Sequence, residues 1–593
     1  MSEYAAPLKE VRFALRELAG LEQVASLPGL QEATPDVVDA ILEEAARFAG
    51  EVLSPLNRVG DQVGARWQDK EVTTAPGFKE AYAQFVESGW NGLSCDPEFG
   101  GQGLPKVLSA AVSEMWKGAN HAFSLCPMLT QGAIEALTIA GSDEQKAAYL
   151  PQLVSGEWTG TMNLTEPNAG SDLAAVRTRA EPVGDGTYKL FGQKIFITYG
   201  EHDMADNIVH LVLARTPNAP EGVKGISLFV VPKFLLKADG TPGQRNDVYC
   251  VSIEHKLGIH GSPTAVLAFG DNGGAIGTLV GEENRGLEYM FIMMNAARFN
   301  VGLEGLGDAE RAYQRAVAYA RERIQGAEAG VKGGPKVPIL RHPDVRRMLM
   351  SMRAQVEAMR ALAYVAAAAL DNAHANPDEG ERKRAHAFAD LMIPVVKGWS
   401  TENSIQVAST GVQVHGGMGY IEETGAAQHL RDARITAIYE GTTAIQANDL
   451  VGRKIAREQG ATIKAVIADM RASLAKLDED LAAVGRRQKV AIDALEQAAD
   501  WLVATYGKDI KAALAAAVPF LHLFGIVAGG WQMGRAAVIA RERLAAGETD
   551  PFWAAKLQTV RFYADHFLTQ APGLAETVMF GAAGALEMDD DSF

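Results

Sequence analysis

The sequence predicts a multidomain α+β protein whose segments run helix, strand, helix, helix. Three observations carry that prediction. With 593 residues the chain exceeds what one hydrophobic core organises, and three or four domains are expected. Apolar residues recur at three-and-four spacing through roughly the first 155 residues, as in "DVVDAILEEAARFAGEVLSPLNRVG". From Trp158 the period changes to short β-branched and aromatic runs, and helical spacing returns from Gly286.

Taken in order, residues 1–34 read as an N-terminal tail and 35–157 as a helical domain. Residues 158–281 read as a β domain, because "TYKLFGQKIFITYG", "NIVHLVLART", "GISLFVVPK" and "TAVLAFG" are each bounded by Gly, Pro, Asn or Asp. Residues 282–457 form a second helical domain, with the long periodic run "RRMLMSMRAQVEAMRALAYVAAAALDNA". A helical extension, 462–593, ends in the acidic "EMDDDSF". No internal repeat is visible.

Composition removes whole classes of function. A net charge of −17 without a basic stripe argues against nucleic acid as a partner. Three scattered cysteines, Cys95, Cys126 and Cys250, make neither a disulfide framework nor a metal signature, so no metal is expected and the compartment is read as reducing. The opening "MSEYAAPLKEVRFALRELAG" is charged throughout and lacks the apolar core of a signal peptide, so a cytoplasmic location is expected. Residues 512–533 are long enough to span a bilayer. Alanine and glycine dominate there, and Pro519 and His522 interrupt it. A buried helix packed closely through Gly525, Gly529 and Gly530 is expected, with weak peripheral membrane contact as the alternative.

Four short stretches hold chemistry-bearing residues. In "MNLTEPNAGSDL" a strand runs into a Pro/Asn/Gly/Ser turn that exposes the hydroxyls of Thr165 and Ser171, suited to a polar ring or a phosphate. "KIFITYG" places Thr198 at a strand end, two residues after Phe196. "GVQVHGGMGY" clusters glycines that permit close backbone approach. In "IYEGTTAIQ" a carboxylate, Glu440, precedes Gly441 and Thr442. Alone, it reads as a solvated or capping acid at a helix start.

Together, "TEPNAGSD", "FITYG", "ARFNVG", "ARERIQG", "QVHGGMGY" and "RDARITAIYEGTTAIQ", in this order and at these separations, resemble the acyl-CoA dehydrogenase family. The resemblance covers residues 35–455 closely. The extension resembles the branch with a two-part C-terminus, and "SEYAAPLKEVRFAL" and "LHLFGIVAGGW" are similar to its bacterial members acting on 3-methylmercaptopropionyl-CoA.

The resemblance implies a helical N-terminal domain, a barrel-like central β domain, a C-terminal four-helix bundle and the additional helical domain, with FAD as cofactor. Implied FAD contacts are Leu164, Thr165, Ser171, Phe196 and Thr198, the last to flavin N5. Arg323 and Gln325 are implied to come from a second subunit, alongside Gln413, Gly416, Gly417 and Thr442. Implied substrate contacts are Ser171, Asn295, Arg298 and Gly441. Glu440 is implied to be the base that takes the α-proton of an acyl-CoA thioester, giving the trans-2-enoyl-CoA while hydride leaves the β-carbon.

Relatives that carry their base before the residue matching Arg298 are excluded, since that residue is Ala297. A dicarboxylyl substrate needs an arginine where only Asn120 and His121 stand. The glutamate also argues against relatives that oxidise nitroalkanes with an aspartate base. Departures fall at Phe196, where tryptophan is commoner, at "RIQG", and at His415, read as packing beside FAD or at the subunit contact. A homodimer using an electron-transfer flavoprotein as acceptor is expected, on a short thioether or short-to-medium acyl-CoA. The alternatives are a medium- or long-chain fatty acyl-CoA dehydrogenase, an acyl-CoA oxidase and a non-catalytic, nucleic-acid-binding fold relative.

Overall fold

A computed structural model describes residues 4–593 and divides the chain into two compact units. The first comprises Arg47–Leu104 and Ala119–Asn300. It is built on an eight-stranded sheet: β1 (Trp158–Asn163), β2 (Arg179–Pro182), β3 (Thr187–Thr198), β4 (Asn207–Ala214), β5 (Ser227–Pro232), β6 (Val248–Ile253), β7 (Thr264–Phe269) and β8 (Ala275–Val280). The order is β6-β7-β3-β8-β5-β4-β1, with β2 also pairing β3. Strand β3 is long enough to be shared: residues 187–190 pair β8 and residues 192–198 pair β7, which curls the sheet. Its core gathers Leu190, Val212, Phe229, Val231, Leu267 and Phe269.

Strands β1, β4 and β5 are buried at every residue. In β5 and most of β4 this gives apolar runs in place of an alternating pattern, whereas β1 buries Thr159, Thr161 and Asn163. Helix α1 (His121–Ala140) lies against β1, and Gly160 makes that approach possible: a Cβ there would sit 2.4 Å from the Ala133 methyl. Asn120 caps α1, its side chain accepting from the Phe123 N–H at 3.1 Å.

The second unit comprises Pro105–Gly118 and Val301–Phe593 with the N-terminal residues up to Ala46. Its long helices are α2 (Gly286–Glu322, which begins in the first unit), α3 (Pro343–Ala375) and α4 (Glu379–His415), followed by the short α5 (Thr443–Asn448) and, in the extension, α6 (Ala517–Ala545) and α7 (Pro551–His566). Residues read in sequence as a tail fold as short helices that bury Val11, Phe13, Leu15 and Leu18; Met1–Glu3 lie outside the described residues. The Lys556 ammonium joins this segment to the rest, donating to Glu10 and, at 2.6 Å, to Glu357. Arg360 similarly bridges Glu114 and Glu310 at 2.6 and 2.7 Å.

Among the described residues, two helices, α1 and α6, are long and apolar enough to cross a membrane by length and composition, and both are largely buried. The expected close packing of α6 is present. A Cβ on Gly525 would lie 2.2 Å from the Trp399 ring, and one on Gly529 2.8 Å from the Tyr563 hydroxyl. Pro519 falls in the first turn of α6, where its missing N–H costs nothing.

Candidate active site

In the first unit, the loop that follows β1 carries Leu164, Thr165 and Ser171. Leu164 is buried, Thr165 half-buried and Ser171 exposed. The loop is held from beneath by Glu166. Its carboxylate accepts from Lys194 Nζ at 2.8 Å, from the Thr178 hydroxyl at 2.6 Å and from the backbone N–H of Arg177 and Thr178. Lys194 also donates to the Leu164 carbonyl at 3.0 Å. Burial brings the Lys194 ammonium down to about 8 against the pull of Glu166. Burial would raise the Glu166 carboxyl, but Lys194 and the other donors outweigh it and hold it below the usual carboxylate range. With four donors on one carboxylate, the pair stays ionised.

The Ile195 N–H donates to the Thr165 carbonyl at 2.9 Å, so the loop runs beside the end of β3. Between Ala265 and Leu267 the ladder advances two residues on β7, while β3 advances three, from Ile197 back to Lys194. The extra residue is a bulge. Within it Phe196 takes φ +59 and is 58% exposed, a rare backbone for an aromatic residue and a mark of local strain. Thr198, half-buried, ends the strand two residues later. Asn295 and Arg298 share a face of α2 at three-residue spacing; Asn295 is half-buried and Arg298 only 4% exposed.

In the second unit, Glu440 stands on the turn before α5. It is half-buried with φ +53, and Gly441 follows at φ +88. Capping is done by another residue: the Thr442 side chain accepts from the Ile445 N–H at 3.4 Å. The turn is gripped by its carbonyls. Lys397 Nζ donates to Gly441 O at 2.7 Å, and Gln446 Nε2 donates to Glu440 O at 3.1 Å and to Gly441 O at 3.2 Å. Thr443 donates to Glu402 at 2.5 Å, and the Tyr439 hydroxyl donates to Glu304. Burial, reinforced by Glu304, pushes the Tyr439 phenol well above its ordinary range, so it remains a neutral donor.

Helix α4 ends at His415, where Gly416 turns the chain at φ +60. Gln413, Gly416 and Gly417 are all exposed, and a Cβ on either glycine would meet nothing within 4 Å. His415 stacks on Tyr319 with ring centroids 4.3 Å apart and shares a 2.7 Å hydrogen bond with Gly411 O, which explains it as packing. Arg323 and Gln325 lie in an exposed stretch after α2, their carbonyls accepting from the Ile339 N–H and the His342 ring. Ala297 is buried and carries no acid.

The structure thus gathers Leu164, Thr165, Phe196 and Thr198 in one unit and Glu440, Gly441 and Thr442 in the other. Sequence reasoning missed the residues that hold them: Glu166, Lys194, Lys397, Gln446 and Glu402. A signal existed for Lys397, a lone cation inside the apolar run "LMIPVVKGW". Among the described residues no cluster of potential metal ligands occurs.

Four acyl-CoA dehydrogenase family models match: the N-terminal domain over residues 36–157, the middle domain over 161–271, the C-terminal domain over 284–455, and the acetyl-CoA dehydrogenase C-terminal-like domain over 461–589. The chain is 52% identical to 3-methylmercaptopropionyl-CoA dehydrogenase of Ruegeria pomeroyi over 570 residues, covering 96% of each. It is 34% identical to a butyryl-CoA dehydrogenase of Syntrophomonas wolfei, covering 100% of this chain and 99% of the relative. Among solved structures, Caenorhabditis elegans ACDH-11 in complex with C11-CoA superposes with a TM-score of 0.76 at 21% identity, covering 96% of this chain and 93% of that one.

Proposed function

Because the chain belongs to the acyl-CoA dehydrogenase family, we propose that it is an FAD-dependent enzyme desaturating a short acyl-CoA, with 3-methylmercaptopropionyl-CoA as its substrate and Glu440 as its base. The observation that carries this reading is the turn at Glu440: a half-buried carboxylate on a left-handed residue, with its own carbonyl and that of Gly441 held by Gln446 and Lys397.

A flavin dinucleotide fits what each unit presents. In the first, hydroxyls of Thr165, Ser171 and Thr198 accompany an exposed aromatic face at Phe196 and the Leu164 backbone. In the second, Gly416 and Gly417 leave open space for a ligand's approach beside Gln413 and Thr442. When bound, FAD supplies the acceptor for the electron pair that leaves with the β-hydrogen. The protein's task is the other half of the reaction. Glu440 accepts the α-proton, and backbone N–H groups of its turn stabilise charge that develops on the thioester oxygen. Ile438, 45% exposed beside Glu440, offers the apolar surface against which an acyl chain excludes water and raises the carboxyl's affinity for the proton.

The thioether reading rests on the Ruegeria relative, whose match runs nearly end to end. Sulfur and a methylene differ little in size, so butanoyl-, pentanoyl- and hexanoyl-CoA are expected as substrates too; one methylene shifts selectivity by only about 1–3 kcal/mol. Ser171, Asn295, Arg298 and Gly441 serve the CoA thioester. Exposure of Arg323 and Gln325 supports their contribution to the FAD of a second subunit in a homodimer. Electron-transfer flavoprotein is the acceptor and the cytoplasm the location. Turnover on a panel of saturated acyl-CoAs and the thioether, with dye or electron-transfer flavoprotein as acceptor and peroxide measured in parallel, tests the reading. Palmitoyl-CoA preference with negligible thioether activity, or stoichiometric peroxide, would overturn it.

A further inference from the structure

Lys397 has no accessible surface, and it sits on α4 among Leu391, Val395, Val396 and Trp399, all buried. An ammonium in such a place is costly, and one that persists has a partner that needs it. Here a partner is backbone: the carbonyl of Gly441, at 2.7 Å. Gln446 reaches the same carbonyl and the preceding one from one turn into α5. The two residues so gripped, Glu440 and Gly441, are consecutive left-handed residues, and a glutamate holds φ +53 only where its surroundings impose it.

The grip is itself backed. Gly398, next to Lys397, packs against α6 of the extension: a Cβ there would lie 2.7 Å from Leu521 and 3.5 Å from the Gln446 Cβ. The carrier helix, the amide clamp and the extension therefore meet at one point directly behind the turn.

We propose that Lys397 is a positioning residue for Glu440. Its ammonium, with Gln446, fixes the peptide planes that follow the carboxylate, and α6 holds the helix that carries the ammonium. The proposal rests on Glu440 being the base. Peptide planarity supplies the mechanism: a carbonyl fixed by a short charge-assisted bond leaves its plane no rotation, so the neighbouring side chain keeps its bearing. Lost bearing slows proton transfer more than it weakens binding, because misplacement of about 1 Å can cost about a hundredfold in rate.

The test uses the FAD-loaded enzyme and Lys397→Met, which keeps the volume and removes the donor and charge. Flavin bleaching by butanoyl-CoA is followed by rapid mixing, with FAD content, melting temperature, acyl-CoA affinity and backbone hydrogen exchange measured on the same sample. Expected are unchanged FAD content, affinity within about threefold, bleaching slowed by about ten- to a hundredfold, and faster exchange confined to the Gly441 and Thr442 amides. Gln446→Leu is the second variant, decisive if Lys397→Met does not fold, with the same local signature; the double variant is slowed by less than the product of the two, since both donors act on one carbonyl. Normal bleaching in both single variants, or slowing that only follows FAD loss and exchange across the whole unit, overturns the proposal. Glu440→Gln separates this from the parent reading: if it bleaches normally, the base assignment falls; if it is inactive while both clamp variants bleach normally, only the clamp falls.

Discussion

Two loops, one in each unit, each carry a glutamate among small and turn-forming residues, and they use it in opposite ways. Glu166 is buried beneath its loop, with its oxygens occupied by Lys194, Thr178 and two backbone N–H groups. It is an anchor. Glu440 is carried on a half-buried turn, and the anchoring falls to Lys397 and Gln446, which grip backbone carbonyls. The difference lies in which part of the residue the surroundings hold, the side chain of Glu166 and the backbone at Glu440.

The comparison breaks most severely if the anchor proves dispensable. Glu166→Gln leaves the fully buried Lys194 without its counter-charge, and the expected loss is about 3–5 kcal/mol of stability, read as a fall in melting temperature. Because the Glu166 carboxyl is held below its ordinary 4.5, its contribution is complete above that pH and disappears as pH falls through the lower folded value. The gap in melting temperature between wild type and variant therefore narrows below about pH 4.5. A gap that stays constant as pH falls from neutral to about pH 2, below the ordinary carboxylate range, would remove the ion pair from the account.

Gly441→Ala sharpens the other side. Its φ of +88 and a Cβ only 2.7 Å from Gln446 Nε2 force the turn to shift, and flavin reduction is expected to slow about a hundredfold with FAD retained. On the scaffold behind the turn, Gly525→Ala drives a methyl into the Trp399 ring at 2.2 Å. It is expected to cost about 2 kcal/mol of stability in a chemical melt. Smallest is Thr442→Ala, which removes the cap of α5 for about 1 kcal/mol; hydrogen exchange at the start of α5 is the measurement.

Much of this was legible in the sequence. The strands at 187–198, 207–214, 227–232 and 264–269 coincide with the runs that β-branched residues and turn signals mark out. The switch at Trp158 is the first residue of β1. The glycines of α6 announced close packing because alanine and glycine replace the larger apolar residues of a bilayer helix. The motif order identified the family. What stayed hidden depends on distance in sequence. Lys397 is 44 residues from the carbonyl it holds, Lys194 is 28 from Glu166, and neither pairing leaves a local pattern. The bulge that exposes Phe196 was equally silent, since nothing in "KIFITYG" counts residues on the opposing strand.

The central claim is that Glu440 takes the substrate's α-proton, and rapid mixing of Glu440→Gln with butanoyl-CoA tests it most directly. The amide keeps the volume and cannot accept the proton, so FAD content and acyl-CoA binding are expected to persist while flavin reduction falls by about three orders of magnitude or more. Near-normal bleaching of the flavin by that variant would contradict the account.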